Sequence, residues 1–418
     1  MSRNSSFAII ALFVLGLGLF GLLVWGNYRF TTQNPGGNDF LVHWMGTKSF
    51  FEDGLSPYSD EVAIRIQNMV YGRPAQTGEH ELRVAYPLYS ILIFLPFALI
   101  PDYNLARAVW MAVLESALIL MSFLSLRLVR WRPKPLVLVL FLLFSVFWYH
   151  ALRPVILGNA VVLIALGVVG ILLAVRAGND ELAGILMALI TIKPQVVLLF
   201  VGYICIWAAS QRRWKIIIWF LISMGLFVGL AVILIPDWII QNLREVLRYP
   251  SYNPPGTLPD ALEAIIPQGG ERLGRVVAGV MALILMVEWF INRRSEFRAF
   301  LWTACLTLTA SFWIGLQTDP GNFIVAYPAL VLTFAVWVER WQNRGVVLSI
   351  GAMFLLFIGI WEIFLTTVEV DYQPIQSPVM FLPLPLFLII VLYWNRWWAV
   401  RPPRVWFETL ESNKTPSL

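Results

Sequence analysis

Charged residues are scarce in this chain. Only 13% of its 418 residues are charged and 59% are hydrophobic, whereas a soluble domain carries about 25% charged residues. The chain has two cysteines, Cys205 and Cys305, both inside apolar runs, which excludes a disulfide framework and a cysteine-based metal site. The net charge of +5 fits loop arginines and lysines that set membrane topology, not nucleic-acid binding. The composition therefore indicates an all-α polytopic membrane protein.

Several catalytic motifs are absent as well. The sequence contains no glycine-rich phosphate loop, no serine nucleophile elbow and no HExxH motif. It also contains no Asp-x-Asp motif for a metal-bound substrate. We therefore expect no cofactor, no metal and no nucleic-acid partner.

Long apolar runs are what the sequence has instead, and they predict about twelve transmembrane helices. The predicted spans are 7–26, 105–126, 136–150, 159–176, 182–193, 195–210, 214–236, 273–291, 299–316, 323–338, 346–365 and 380–395. Residues 88–100 are also apolar, but they are few and are punctuated by Pro87, Pro96 and Pro101. Because proline breaks helices, we interpret 88–100 as a re-entrant or interfacial helix.

The distribution of charge supports this topology. If 88–100 does not cross, more than half of the 30 lysines and arginines fall on one side, and most acidic residues fall on the other. Both termini are then cytoplasmic, in the plasma (inner) membrane, and the loops 27–87 and 237–272 face outside. A full crossing by 88–100 would reverse every later loop. We divide the chain into a module at 1–235 with a catalytic first loop at 27–87, a variable membrane region at 236–400 and a cytoplasmic tail at 401–418.

Asp39 is the first candidate catalytic residue. It follows the first span and begins a run in which Phe40, Trp44, Thr47 and Phe51 recur at helical spacing. Such a helix can lie in the membrane interface. The carboxylate would then sit at headgroup depth, where a lipid-linked phosphate and a soluble hydroxyl group can meet. An ordinary solvated loop carboxylate is the alternative.

Other polar residues stand out along the chain. His43 lies four residues after Asp39, hence on nearly the same helical face, and can bond the carboxylate or the substrate; a surface histidine is the alternative. Lys193, followed by Pro194, interrupts an apolar run. It either faces a phosphate in a polar cavity or extends to the interface. Asp319 is a second outer carboxylate in the turn 317–322, for which a solvated turn is the alternative.

Ordered short motifs carry a family resemblance over roughly residues 1–235. The motifs are Asn38-Asp39-Phe40, Gly54 with Pro57-Tyr58, Tyr86-Pro87-Leu88, Ile100-Pro101, Ala106 with Trp110, Gly158-Asn159, Ala183-Gly184, Lys193-Pro194 and Arg212-Arg213. Together they resemble the polyprenyl-phosphate-dependent glycosyltransferases of the GT-C superfamily, family 87. Two features depart from that family. Leu88 replaces the second proline of a Tyr-Pro-Pro motif, and residues 317–328 lack the histidine that many members carry in a late outer turn.

The resemblance implies a GT-C fold and a hexosyltransferase. A sugar, mannose first and arabinofuranose second, would pass with inversion from a polyprenyl-phosphate carrier to a lipid or glycan acceptor in the cell envelope, at the outer face. The residue matching Asp39 is the expected general base. Because the leaving phosphate already carries a charge, we expect Lys193 and Arg153, with Arg83 behind them, to be the cations that bind it. The predicted substrate-binding set is His43, Trp44, Lys48, Tyr58, Arg83, Tyr86, Arg153, Asn159, Lys193, Gln195 and Asp319.

Two other functional classes are compatible with so many spans. A polytopic transporter or lipid-linked-sugar flippase would use intramembrane charge. Transporters commonly show repeated halves, however, and this chain has a long first loop without a counterpart halfway along. A non-enzymatic membrane scaffold is the third class, and it predicts that mutations in the pocket have no effect.

Overall fold

A computed structural model describes residues 3–253, 256–315, 319–370 and 374–400 of the chain. Within these ranges the regular structure is helical except for one antiparallel pairing of β1 (Glu369–Val370) with β2 (Pro374–Ile375). The prediction of an all-α membrane protein is confirmed. The predicted cytoplasmic tail at 401–418 lies outside the described residues.

Eighteen helices follow one another along the described chain. They are α1 (Arg3–Gln33), α2 (Asn38–Asp53), α3 (Asp60–Tyr71), α4 (Ile91–Ala98), α5 (Tyr103–Val129), α6 (Pro135–Phe147), α7 (Tyr149–Leu157), α8 (Val161–Ala177), α9 (Asp180–Leu189), α10 (Pro194–Ser210), α11 (Trp214–Leu234), α12 (Trp238–Arg248), α13 (Leu258–Ile265), α14 (Gly270–Asn292), α15 (Phe297–Ile314), α16 (Tyr327–Trp341), α17 (Asn343–Thr367) and α18 (Pro383–Val400). Short 3₁₀ turns occupy Leu88–Ser90, Ile190–Ile192, Tyr249–Ser251, Pro320–Ala326 and Pro378–Phe381.

Each predicted span contains a helix, but the span 136–150 covers α6 and the start of α7, and the helices differ in length. Of the described helices, 8 are long and apolar enough to cross a membrane, or up to 9 if α6 and α7, bent by 44°, are one span. The segments predicted at 159–176, 182–193 and 195–210 form α8, α9 and α10, which have 17, 10 and 17 residues. A full crossing needs about 20 residues. Residues 88–100, predicted not to cross, form a 3₁₀ turn and the short helix α4.

The most deeply buried helices are α15 and α16. In the most apolar stretches of Phe297–Ile314 and Pro320–Trp341, 83% and 89% of residues are buried. The corresponding fractions are 0% for α1 and 11% for α11. Most side chains of Phe13–Gln33 in α1 and of α11 are therefore exposed on the described chain, and α15 and α16 form the centre. Buried Thr303, Thr307 and Thr309 of α15 donate their hydroxyl protons to carbonyls four residues earlier. These bonds satisfy polar groups that apolar surroundings would otherwise leave unpaired.

Packing around Trp110 of α5 brings the first loop to the membrane helices. The Trp110 ring stacks on Phe40 with ring centroids 5.6 Å apart, and its Nε1 donates to the Gly158 carbonyl at 2.8 Å. Gly158 has a φ of 71°, and a Cβ there would lie 2.5 Å from the Cβ of Phe40. The next residues along the chain, Asp39 before Phe40 and Asn159 after Gly158, are thereby brought together.

The apolar stripe of α2 faces protein. Phe40, Trp44 and Thr47 are buried, and Phe51 alone of the predicted stripe is exposed, at 49%. The stripe packs against α4 and α5, and Trp44 Nε1 donates to the Phe97 carbonyl at 3.1 Å. The stripe is confirmed as one helical face, and protein covers most of it, while its predicted place in the membrane interface stays a prediction. An amphipathic face can be covered by neighbouring helices as well as by lipid.

Helix α12, in the predicted outer loop 237–272, docks onto the first loop. Buried Glu245 accepts from Arg83 Nε at 2.7 Å. Asn242 Nδ2 donates to the carbonyls of Ala85 and Tyr86 at 3.0 and 3.1 Å. The opposite face of α12 carries exposed apolar side chains. One face of this amphipathic helix therefore holds the segment that leads into Tyr86.

Candidate active site

Three predicted residues form one hydrogen-bonded unit. Asp39 lies in the first turn of α2, Asn159 precedes α8, and Lys193 precedes α10. Asn159 Nδ2 donates to Asp39 Oδ2 at 2.8 Å, and Lys193 Nζ donates to Asn159 Oδ1 at 3.1 Å. A carboxylate and an ammonium group are thus connected through a single amide, although more than 150 residues separate them in sequence.

The orientation of the Asn159 amide is fixed by its neighbours. Its Oδ1 accepts from Lys193 Nζ and also from the Val161 backbone N–H at 2.9 Å. Because these donors require an oxygen, the NH₂ group must point toward Asp39. Asn159 and Lys193 are only 5% and 6% exposed, while Asp39 is partly exposed. The site therefore has a buried support and a carboxylate at its open side.

Lys193 is directed inward. Besides Asn159, its Nζ donates to Asn322 Oδ1 at 2.7 Å, and it lies 5.6 Å from the centre of the Tyr86 ring. A lysine that extends to the interface keeps its ammonium group in water. The inward hydrogen bonds exclude that alternative for Lys193 and place its charge inside the site.

The surroundings of Asp39 suit a base. Burial raises the pKa of the Asp39 carboxyl, and Asp319 raises it further. Lys193, the Asn159 hydrogen bond and Arg153 all oppose the rise. Asp39 Oδ2 accepts from Asn159, whereas Oδ1 has no hydrogen-bond partner among the described residues. The second oxygen is therefore available to a hydroxyl group of a substrate.

His43 stacks between two aromatic rings. Its centroid lies 4.0 Å from that of Tyr86 and 4.6 Å from that of Phe94, and burial, with Lys193 second, lowers its pKa to about 3. His43 is therefore neutral at physiological pH, and the surface-histidine alternative is wrong because the side chain is buried. No hydrogen bond joins His43 to Asp39 in the described chain. Its predicted substrate contact stays a prediction.

A small cavity lies beside His43. It measures about 10 Å³ and is bordered by His43, Thr47, Tyr58 and Tyr86, which is room for about one water molecule. The Tyr58 hydroxyl donates to the Tyr86 carbonyl at 2.8 Å. Tyr58 therefore holds the backbone at Tyr86, whose own hydroxyl lies 3.5 Å from Asn159 Oδ1.

The late turn around Asp319 is built into the site. Asp319 Oδ1 accepts from the Gly321 N–H at 2.6 Å, and Oδ2 accepts from the Gln376 amide. The following residues Pro320–Ala326 are all buried. Residues 317 and 318 of the predicted turn lie outside the described residues, and Asp319 is half-buried with both carboxylate oxygens hydrogen-bonded. The carboxylate orders the turn that delivers Asn322 to Lys193.

Although residues 317–328 contain no histidine, His150 from α7 contacts this turn. His150 Nδ1 lies 2.6 Å from the Pro320 carbonyl oxygen, and the side chain is buried in α7. The sequence interpretation missed His150, Asn322 and Gln376. For His150 a signal existed, since it is one of 3 histidines in the chain and follows an apolar run. The amides Asn322 and Gln376 had no such signal.

Arg153 is a cation without a hydrogen-bonded partner in the described residues. Its guanidinium carbon lies 5.0 Å from the centre of the Phe364 ring and 5.9 Å from that of Tyr149. Its buried Nε has no hydrogen-bond partner. The Arg153 charge is nevertheless close enough to lower the pKa of Asp39. Arg153 can therefore donate to an anionic ligand near Asp39.

The remaining predicted residues lie apart from the Asp39 unit. Lys48 pairs with Glu52 at 3.4 Å and lies over the ring of Trp44. Arg83 pairs with Glu245 and Asp60 and serves the docking of α12. The Gln195 side chain makes no hydrogen bond among the described residues, and the Trp44 ring is buried. The roles of these residues in substrate binding stay predictions.

Side chains that can bind a metal do not cluster among the described residues. Those residues contain no group of three or more His, Cys, Asp and Glu side chains that could hold a metal ion. The positive charge next to Asp39 comes from Lys193 and Arg153.

Fold and site together define a helical membrane protein with a carboxylate, an amide and a lysine at the ends of its short helices. The family model described as glycosyltransferase family 87 matches residues 85–252, which is less than half of the 418-residue chain. The matched stretch includes Tyr86, Arg153, Asn159 and Lys193 but begins after Asp39. None of the curated proteins and none of the solved structures matches the chain. The match indicates a membrane glycosyltransferase.

Proposed function

We propose that this protein transfers a hexose, mannose first, from a polyprenyl-phosphate carrier to a hydroxyl group of a lipid or glycan acceptor at the outer face of the plasma membrane. The family match supports glycosyl transfer in general. The observation that carries the mechanism is the Asp39–Asn159–Lys193 unit, which couples a carboxylate with a free oxygen to a buried cation.

In the proposed reaction, Asp39 Oδ1 accepts the proton of the acceptor hydroxyl. The acceptor oxygen forms a bond to the anomeric carbon on the face opposite the phosphate. The bond from that carbon to the phosphate oxygen breaks, and its electron pair leaves with the polyprenyl phosphate. The configuration inverts. A general base works best when its pKa is near the working pH, and the burial of Asp39 moves its pKa in that direction.

The leaving phosphate already carries a negative charge, so it needs cations more than a proton donor. Arg153 fits this role because its guanidinium has no hydrogen-bonded partner in the described chain. Lys193 is committed to two amide oxygens. We therefore assign Arg153 to the phosphate and Lys193 to the orientation of Asn159 and the charge of Asp39. Oriented donors in such a site stabilise charge that develops in the transition state.

The test compares Asp39→Asn with Asp53→Asn in purified protein supplied with polyprenyl-phosphate mannose and a lipid acceptor. Asp53 lies at the other end of α2 and pairs with Arg65 on the surface. Loss of a general base lowers kcat by about 10²–10⁴-fold, and we expect that loss for Asp39→Asn alone. Equal turnover in the two variants would rule out Asp39 as the base. Carrier-lipid flux in proteoliposomes without a glycosylated product would favour the transporter alternative.

A further inference from the structure

A second polar cavity lies at the opposite ends of α8 and α10. It measures about 400 Å³ and is bordered by Arg176 at the end of α8 and by Trp207 and Gln211 at the end of α10. Both helices begin beside the Asp39 unit and have 17 residues, which corresponds to about 25 Å at 1.5 Å per residue. The cavity is therefore separated from the Asp39 site by nearly the length of both helices.

The walls of this cavity are rich in arginine. Arg176, Arg213 and Arg294 face one acidic residue, Glu296. Arg213 is neutralised by Asp180, and Arg176 uses one terminal nitrogen for two carbonyls at the end of α5 at 3.0 and 2.7 Å. Arg294 is exposed and has no hydrogen bond or ion pair within the described ranges. The cavity thus retains positive charge and free guanidinium donors.

Ser295 adds a polar group without a partner. Its carbonyl accepts from Trp207 Nε1 at 3.2 Å and from Gln211 Nε2 at 2.8 Å. Its hydroxyl is buried and has no hydrogen-bond partner in the part of the chain that the structure describes. Buried hydroxyl groups are normally hydrogen-bonded. A volume of 400 Å³ also lies within the range of about 300–1,000 Å³ that holds small ligands.

We propose that this cavity binds a phosphate group, carried by the headgroup of an anionic phospholipid. Guanidinium groups and a hydroxyl are donors that phosphate oxygens accept from. Exposed apolar side chains near the end of α14, Val287 and Ile291, lead toward Arg294 and offer a surface for acyl chains. Basic pockets between transmembrane helices bind anionic headgroups in this manner.

The test uses native mass spectrometry of the full-length chain in detergent, titrated with dioleoyl phosphatidylglycerol, dioleoyl phosphatidylcholine or inorganic phosphate. Arg294→Gln removes the unpaired cation, and Arg293→Gln is the matched control, because Arg293 lies over the Phe290 ring and does not border the cavity. We expect phosphatidylglycerol to bind about tenfold more weakly to Arg294→Gln, the size of one charge-assisted hydrogen bond, and unchanged to Arg293→Gln. Glu296→Gln removes the opposing carboxylate and should strengthen binding.

The outcomes separate the possible sources of the phosphate. Preference for phosphatidylglycerol that depends on Arg294 and Glu296 supports a lipid headgroup. Inorganic phosphate that binds with the same residue dependence, without a preference among lipids, supports a phosphate from solution and overturns the lipid source. Equal binding to the wild type and all three variants overturns the site. None of these readouts requires turnover, so they are independent of the role of Asp39.

Discussion

Asn159 joins the two charges of the candidate active site through a single side chain. Its amide oxygen accepts from Lys193 and its NH₂ group donates to Asp39. Removing the charge of Lys193 therefore changes the pKa of Asp39 in two ways. The direct attraction between the charges is lost, and the Asn159 amide loses a group that orients it. The pKa of Asp39 therefore depends on the charge of Lys193.

Lys193→Met should move the acid limb of the pH–rate profile to higher pH. Burial raises the pKa of Asp39 and Lys193 lowers it, so removing the ammonium group raises that pKa further. Because the base must be deprotonated, kcat/KM falls as pH decreases through the Asp39 pKa, and in this variant the fall begins at higher pH. The measurement is kcat/KM against pH for the wild type, Lys193→Met and the exposed control Lys215→Met. Coincident acid limbs in all three would show that Lys193 does not act on the base.

Alanine variants of two glycines with similar backbone angles distinguish the effect of backbone strain from that of a steric contact. Gly158 and Gly178 have φ values of 71° and 75°, but only Gly158 would place a Cβ against Phe40, since nothing lies within 4 Å at Gly178. Alanine at a positive φ costs roughly 1–2 kcal/mol. Both variants should therefore unfold at lower temperature, and Gly158→Ala should lose more stability and also transferase activity. Thermal unfolding in detergent with a parallel activity assay checks this, and equal losses would show that the Phe40 contact can relax.

Among the elements, α12 acts as a strap over the first loop. Asn242 and Glu245 bind the segment from Arg83 to Tyr86, which borders the site. The strap has few other polar contacts with the membrane helices, and its apolar face is exposed. Movement of α12 would therefore move the Tyr86 ring.

Glu245→Gln should loosen this strap. Removing one partner of a buried ion pair is costly because the other charge stays buried, although Arg83 keeps Asp60 as a partner. We expect faster amide hydrogen exchange in residues 238–248 and at 84–86. Arg244→Gln, an exposed position on the same helix, is the control. Unchanged exchange in Glu245→Gln would show that the contacts of Asn242, Gln241 and Arg248 suffice to hold the helix.

The helices were predictable and their partners were not. Apolar runs identify helices because every backbone polar group in a membrane must be bonded within its own segment. The pattern Phe40, Trp44, Thr47 looks the same whether lipid or α4 covers it, so the sequence could not show that α4 packs on the stripe. In the site, Asp39, Asn159 and Lys193 were named from sequence motifs. Their hydrogen bonds, and the late-turn amide Asn322, depend on packing between distant helices that no local pattern encodes.

For the whole molecule, burial divides the helices into a protein-packed centre and a lipid-facing rim. Leu308 of α15 is 0% exposed and Leu226 of α11 is 68% exposed. Leu308→Ala should cost roughly 2 kcal/mol or more because it leaves a cavity, while Leu226→Ala should change stability little. Thermal unfolding in one detergent gives the comparison. Comparable losses would mean that α11 packs against protein, as in an oligomer.

The placement of Asp39, Asn159 and Lys193 has an electrostatic consequence for the molecule as a whole. Helices α2, α8 and α10 all begin at this unit, so their amino-terminal ends converge on it. Each helix of this length carries about half a positive elementary charge at that end from its aligned peptide dipoles. The backbone itself therefore makes the site attractive to anions. A variant that lacks the Lys193 and Arg153 side chains should therefore retain measurable affinity for phosphate.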